Sequence, residues 1–216
     1  MPPLLDDVHI IAIASTSQHA QAILLAASEV PTVSVLLLLR DPRHRPEEVQ
    51  RMAHDLLACD IPENVRPGLN GTIMAGFDVV HYPVSATITT SGRPPVGLVG
   101  VSVHSTRELY AAKQVSPDYI MASPVFPTAS KPGHPGIGLS GLKAIVAASS
   151  VPVYALGGMN SEGPIRQAMQ TGARGIGSVS LFLDGTRDEL RRRIAHVSEV
   201  VSDALRLEPF LANGAQ

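Results

Sequence analysis

The sequence predicts a single (β/α)8 barrel, and three observations support this fold class. Short apolar runs, which are typical of buried strands, alternate with amphipathic segments of helical period along the whole chain. A length of 216 residues accommodates one domain with a sizeable core. No glycine-rich dinucleotide-binding motif follows the first strand, as it does in many open doubly wound sheets. Right-handed crossovers permit either arrangement, and we therefore favour the closed barrel over the open sheet.

The first four strands are predicted from apolar runs at residues 8–13, 33–39, 65–69 and 78–82. Ser17 is expected to cap the first helix, because its hydroxyl can accept a hydrogen bond from a free N–H of the first turn. Pro46 suits the first turn of the second helix, where a backbone N–H is not needed. The third and fourth strands are short, and we expect abbreviated connections around them.

The last four strands are predicted at residues 96–103, 118–122, 151–156 and 175–179. Capping-box spacing at Ser105–Glu108 and at Thr186–Glu189 predicts the start of two helices. A loop rich in proline and glycine, residues 123–138, follows the sixth strand. We expect the barrel to occupy residues 1–207 and residues 208–216 to form a loose tail.

Composition argues against several classes of partner. The net charge of -2 and the absence of a basic stripe give no case for nucleic acid. The longest apolar run, residues 35–39, is too short to span a bilayer, so no membrane partner is expected. The single Cys59 excludes an internal disulfide. We therefore expect a cytoplasmic protein.

The candidate site lies at the C-terminal ends of the strands, where barrels of this class place their working residues. The polar and glycine residues that follow the strands are Arg40 after the second, Asn70 after the third, His81 and Tyr82 at the fourth, Ser102 and His104 at the fifth, Thr128, Ser130 and Lys131 after the sixth, Gly157 and Gly158 after the seventh, and Ser178, Ser180 and Leu181 at the eighth. Because most of the unusual residues of the chain converge on one face, we predict a ligand site there.

A phosphate group is the ligand that this set favours. Gly157 and Gly158 let the backbone approach an anion, although the same pair is also compatible with a plain tight turn. A short helix after the eighth strand would point free N–H groups at the same anion. Lys131, with the hydroxyls of Thr128 and Ser130, suits a phosphate or diphosphate, and the alternative is a flexible surface loop.

His134 is the first candidate for an acid or base, because an unperturbed imidazole titrates near neutral pH. His104 is the second candidate, with a purely structural role at the strand-to-helix turn as its alternative.

Five segments of the chain resemble the thiamine phosphate synthase / thiazole tautomerase (TenI) superfamily. They are residues 100–105, 117–120, 123–131, 151–159 and 172–175. The resemblance implies a (β/α)8 barrel that is a homodimer. It also implies that Gly158 and the backbone of Ser180 and Leu181 bind a phosphate, and that Ser102, Thr128, Ser130 and Lys131 lie on the diphosphate side.

The sequence departs from the synthase pattern on the other half of the barrel. The family motif Gln-x-Arg-x-Lys reads Leu38-Leu39-Arg40-Asp41-Pro42, so only the arginine is retained. The Asn-Asp-Arg motif reads Asn70-Gly71-Thr72, and Ala86 stands near the second magnesium-binding aspartate. A histidine used by the tautomerases corresponds to Pro124. We therefore expect no metal cofactor, with Asp41 as a possible but misplaced substitute.

These observations lead to a hypothesis of metal-independent tautomerisation of a small phosphorylated thiazole or similar heterocycle. Arg40 would meet a carboxylate, Asn70 and Ser102 would orient the ring, and His134 would transfer the proton. Two alternatives remain. One is thiamine phosphate synthase itself, which joins a pyrimidine diphosphate to thiazole phosphate. The other is a non-catalytic or repurposed barrel that binds a phosphorylated metabolite.

Overall fold

A computed structural model describes Leu5 and residues 7–87, 92–128 and 133–212, with residues 207–212 described by their backbone. Eight parallel strands pair in chain order and close into a barrel, because β1 pairs with both β2 and β8. The strands are β1 Val8–Ala14, β2 Ser34–Leu39, β3 Val65–Asn70, β4 Val79–Pro83, β5 Leu98–Val103, β6 Tyr119–Ala122, β7 Val153–Leu156 and β8 Gly175–Ser178. The predicted (β/α)8 barrel is confirmed.

Helices cover the outside of this barrel. They are α1 Ser17–Ser28, α2 Pro46–Leu57, α3 Val84–Thr87, α4 Thr106–Ala112, α5 Gly138–Ala148, α6 Glu162–Met169 and α7 Arg187–Ala212, with a 3-10 turn at Lys113–Val115 after α4. As expected, the connection before β4 is abbreviated, since residues 71–78 contain no helix, and α3 has 4 described residues. None of the described helices is long and apolar enough to cross a membrane.

Alternate residues of each strand face opposite sides of the barrel wall. One set, which includes Ile11, Leu36 and Tyr154, packs together in the lumen. The other set, which includes Ile10 and Leu37, packs under the helices in the larger core. This alternation also decides which polar residue at a strand end can reach the mouth of the barrel.

Two tyrosines fill the lower lumen. The rings of Tyr119 and Tyr154 meet edge to face with centroids 5.8 Å apart, and both side chains are fully buried. The Tyr154 hydroxyl donates to the carbonyl of Val8 at 2.8 Å. A Cβ at Gly100 would lie 2.1 Å from Tyr119 Cζ, so the missing side chain leaves the space that the Tyr119 ring occupies.

The predicted helix starts are confirmed at three positions and wrong at one. Pro46 begins α2. Ser105 accepts from the Glu108 N–H, and Thr186 and Glu189 bond reciprocally. Ser17 does not cap α1, because Thr16 accepts from the His19 N–H at 3.1 Å. The Ser17 hydroxyl instead donates to Asp55.

The chain after β8 differs from the expectation of a short helix. Residues 179–185 form a turn and bends, in which the Phe182 N–H donates to the Val179 carbonyl at 3.1 Å. Farther along, α7 continues to Ala212, past the predicted start of the tail at residue 208. Amphipathic periodicity continues through this helix, and helix boundaries are the least predictable part of such a pattern.

Candidate functional site

Four of the predicted site residues lie on the lumen-facing side of neighbouring strands. Arg40 directly follows β2, Asn70 ends β3, His81 lies in β4 and Ser102 lies near the end of β5. Asn70 is directly paired with His81 across β3 and β4. The carboxyl ends of parallel strands meet at one rim, so this half of the barrel mouth has a polar lining.

Arg40 is the cation of this lining. Burial of its guanidinium lowers its pKa, and the charge of Asp41 opposes that shift only in part. Among the described residues, no carboxylate forms an ion pair with Arg40 and no group hydrogen-bonds to its side chain. A partly desolvated cation without a partner is unfavourable by itself, and a bound anion would compensate for its lost hydration.

Asp41, the neighbour of Arg40, is occupied by other groups. Its carboxylate accepts from the backbone N–H groups of Arg43 and Arg45, both at 3.0 Å. It also accepts two hydrogen bonds from the Arg45 side chain, at 3.1 and 3.0 Å. The hydrogen bond from Arg45 is the main cause that lowers the pKa of Asp41 to about 2. These contacts fix the loop before α2 and orient the carboxylate toward that loop.

A divalent cation does not fit this part of the mouth. Among the residues that the structure describes, no group of three or more His, Cys, Asp or Glu side chains is placed to hold a metal ion. Asp41 is committed to Arg45, while Gly71 and Ala86 offer no side-chain oxygen. The donor set is therefore unsuited to Mg²⁺, which binds through carboxylates and other oxygens.

His81 lies beneath the mouth and not in it. The ring is fully buried, and burial, with the charge of Arg40, lowers its pKa to about 3. Its Nε2 is 2.8 Å from Ser102 Oγ, and its Nδ1 is 3.2 Å from the Tyr119 hydroxyl. Both ring nitrogens face protein groups, so the predicted direct contact of His81 with a ligand has to be corrected. Ser102, which is partly exposed, is the member of this group that can reach a ligand.

Gly157 and Gly158 are required by the packing of the loop after β6. Both have positive φ angles, 97° and 74°. A Cβ at Gly157 would lie 2.7 Å from Pro124, and one at Gly158 would lie 2.6 Å from Phe126. The Phe126 N–H donates to the Gly157 carbonyl at 3.1 Å. The tight-turn alternative therefore accounts for the glycines, and phosphate binding at this turn stays a prediction.

The loop after β6 is described in part. Thr128 is partly buried, whereas Ser130 and Lys131 lie outside the described residues, and their predicted contacts stay predictions. His134 is exposed, and its Nδ1 accepts from the Gly136 N–H at 3.0 Å. The backbone N–H of His104 donates to the Glu108 carboxylate at 2.7 Å, and the acid/base role of the His104 ring stays a prediction.

After β8, two predicted anion ligands bond to the protein instead. Ser178 is buried, donates to the Met159 carbonyl at 2.9 Å and accepts from the Leu181 N–H at 3.2 Å. Neither the Ser178 side chain nor the Leu181 N–H is thus available in this arrangement, and both predictions are corrected. Ser180 is exposed and remains a candidate. The side chain of Tyr82 packs in the outer core, away from the lumen.

Sequence reasoning missed Tyr119 and Gly100, which together position His81. Gly100 was noticed only as part of a motif, although a glycine inside an apolar strand is a known sign of close approach by another group. Tyr119 sits at alternate spacing with Met121 on the lumen side of β6, and no local pattern distinguishes it from an ordinary core residue.

Comparisons with known proteins agree with the fold and with the family resemblance. A model of the thiamine monophosphate synthase family matches residues 33–182. The thiamine-phosphate synthase of Methanoregula boonei is 31% identical over 175 residues, which cover 74% of this chain and 80% of that protein. That of Pyrococcus horikoshii is 37% identical over 108 residues, 50% of this chain, and the match spans about half of that relative, 51%.

A solved structure shows the same fold. Thiamine phosphate pyrophosphorylase from Pyrococcus furiosus superposes with a TM-score of 0.66 at 20% identity, over 93% of this chain and 98% of that one.

Proposed function

The chain belongs to the thiamine monophosphate synthase family, and on that premise we propose that it joins a pyrimidine diphosphate to a thiazole phosphate at the barrel mouth. The names of the relatives favour this reaction over the tautomerisation that the sequence led us to expect. The homodimer implied by the resemblance stays a prediction.

The observation that carries the proposal is the guanidinium of Arg40 at the mouth, which has no partner among the described residues. Displacement of diphosphate from the pyrimidine places negative charge on the leaving group, and a preorganised cation stabilises such charge. Arg40 presents a planar fork that matches phosphate oxygens. Ser102, on the same rim, adds a hydroxyl.

Side chains supply the positive charge in this proposal, because the described residues do not fit Mg²⁺. Arg40 is that charge in the described part of the mouth, and Lys131 is a further candidate outside it. The expected reaction therefore proceeds when divalent ions are chelated.

The test incubates the full chain with the pyrimidine diphosphate and thiazole phosphate, once with magnesium and once with EDTA, and measures thiamine phosphate. We expect product under both conditions. Arg40→Gln should lower kcat/KM by about tenfold or more, which corresponds to loss of a charge-assisted hydrogen bond. Arg107→Gln removes an exposed cation of α4 and is the matched control.

Each failure has a separate meaning. No thiamine phosphate under either condition refutes the coupling reaction. Product only with magnesium refutes the assignment of the charge to side chains alone. An Arg40→Gln variant with the activity of Arg107→Gln removes Arg40 from the site.

A second candidate is tautomerisation of a thiazole carboxylate phosphate, and it is favoured by the same unsuitability for a metal. Proton transfer needs an acid or base near neutral pH and no divalent ion. His134 is exposed, and its Nδ1 accepts a hydrogen bond, so a neutral ring carries its proton on Nε2. Isomerisation followed by NMR in deuterated water tests this reaction, with His134→Gln and His104→Gln as variants.

Isomerisation no faster than the buffer rate would exclude the second candidate. Binding of both phosphates without either reaction would instead support the non-catalytic alternative.

A further inference from the structure

Ser102, His81 and Tyr119 form a continuous hydrogen-bonded chain that runs from the barrel mouth into the lumen. Ser102 Oγ is 2.8 Å from His81 Nε2, and His81 Nδ1 is 3.2 Å from the Tyr119 hydroxyl. The His81 and Tyr119 rings lie 5.5 Å apart between centroids and are both fully buried. Only Ser102, at the upper end, is partly exposed.

Tyr119, at the lower end of this hydrogen-bonded chain, determines which group donates in each hydrogen bond. Burial raises the pKa of the Tyr119 phenol, so the hydroxyl keeps its proton and needs an acceptor. Within the described residues, His81 Nδ1 is the hydrogen-bond partner of that hydroxyl. If Nδ1 carried a proton instead, the buried phenol would have no acceptor for its own proton among the described residues, and such an unmade hydrogen bond is costly.

The state of His81 follows from this direction. A neutral imidazole has one N–H, so a ring that accepts at Nδ1 donates from Nε2. Ser102 Oγ then accepts from His81, and its own O–H points away from the ring. The hydrogen bonds therefore all run in one direction, with Tyr119 donating to His81 and His81 donating to Ser102.

We propose that Tyr119 is a positioning residue that acts through His81 to make Ser102 a hydrogen-bond donor to an anionic ligand. The inference rests on the proposed function only in taking that ligand to be phosphorylated. Ionised phosphate and diphosphate oxygens are hydrogen-bond acceptors, so a serine hydroxyl whose proton points away from His81 can donate to them. Arg40 on the same rim provides the matching charge.

Gly100 provides the space for the hydrogen bond between Tyr119 and His81. A Cβ there would lie 2.4 Å from the Tyr119 hydroxyl and 2.5 Å from His81 Nδ1, which is the place where the two groups meet. The chain of hydrogen bonds thus requires a residue without a side chain at this position of β5.

The first test is spectroscopic and does not depend on activity. The full chain is labelled with ¹⁵N in its imidazole rings, and His81→Asn identifies the His81 resonances by their loss. We expect His81 protonated at Nε2 and unprotonated at Nδ1. In Tyr119→Phe, Nδ1 loses its donor, and we expect its resonance to shift. A proton on Nδ1 of the unsubstituted protein overturns the proposal.

The second test measures affinity, with inorganic diphosphate as the probe. Ser102→Ala should raise Kd by about tenfold, as for loss of one hydrogen bond to a charged group. Tyr119→Phe should raise Kd severalfold without removing any group that touches the ligand. Tyr110→Phe, on the exposed face of α4, is the control and should bind as the unsubstituted protein does. Thermal unfolding of each variant verifies that it is folded.

The outcomes separate this inference from the proposed function. Weakened binding in Ser102→Ala with unchanged binding in Tyr119→Phe would refute the positioning role of Tyr119. Unchanged binding in both variants refutes the donor role of Ser102. Loss of coupling activity alone, with the expected His81 state and affinities, would fault the proposed reaction and support the hydrogen-bonded chain.

Discussion

Replacement of Gly100 by alanine is expected to destabilise the barrel strongly, since the added methyl group has no space. The new Cβ would lie 2.1 Å from Tyr119 Cζ, 2.4 Å from its hydroxyl and 2.5 Å from His81 Nδ1. Carbon atoms in contact are normally about 3.5–4.0 Å apart, so the Tyr119 ring would have to move by more than about 1 Å. Both rings are fully buried among close-packed neighbours, which leaves little room for that movement.

The magnitude follows from two contributions. Overpacking of a core costs about 1–3 kcal/mol. Loss of the hydrogen bond between Tyr119 and His81 adds roughly 1 kcal/mol. The free energy of unfolding should therefore fall by about 2–4 kcal/mol. Urea denaturation followed by circular dichroism measures this difference.

Two further variants make the test specific. Gly163→Ala, in α6, places a Cβ where no atom lies within 4 Å, and should stabilise the helix by up to about 1 kcal/mol. Tyr119→Ala together with Gly100→Ala should cost less than the sum of the two single changes, because the cavity receives the new methyl group. A Gly100→Ala variant within about 0.5 kcal/mol of the unsubstituted protein would refute the steric argument.

Four further predictions concern acid stability at two sites, a helix cap and a glycine turn. The pKa of Asp41 is lowered to about 2, so the stabilisation by its carboxylate is complete above the unfolded pKa of about 4 and disappears as pH falls toward 2. In Asp41→Asn, the free energy of unfolding measured with urea should therefore depend less on pH between those two values. The pKa of His81 is lowered to about 3 from 6.5, so the unfolded chain binds the extra proton and the free energy of unfolding falls as pH drops below about 6.5. His81→Gln should weaken this decline. An unchanged dependence of the free energy of unfolding on pH would contradict the assignment. Thr16→Ala should lower the free energy of unfolding by about 1 kcal/mol by loss of the cap, and a comparable loss in Ser17→Ala, which leaves that cap intact, would contradict it. Gly158→Ala, at φ 74°, should cost about 1–2 kcal/mol through the left-handed backbone and more through contact with the loop after β6, and thermal unfolding measures the loss.

Much of the fold could be predicted because the information is local. Val35 to Leu39 form a continuous apolar run, and a strand buried on both faces needs such a run. Pro46, Ser105 and Thr186 act on the turn that they begin, so short segments were enough to predict them. The length of α7 was missed, because a helix end depends on small differences between fraying and packing.

The candidate site was only partly predictable. Arg40, Asn70, His81 and Ser102 were selected because each follows or ends a strand, and the barrel brings them to one rim. The partner of each group depends on which way its side chain faces. The identity of the residues at the strand ends does not show which way each side chain faces.

The sequence alone therefore determined the (β/α)8 barrel and the rim on which its polar residues lie, because both follow from periodicity and strand order. Only the tertiary structure decided that Asp41 binds Arg45, that Ser178 bonds to the Met159 carbonyl, and that His81 lies beneath Ser102. The physical reason is that hydrogen bonds and desolvation depend on contacts between distant segments. Tyr119 and His81 are 38 positions apart in the chain, and closure of the barrel brings them together at Gly100.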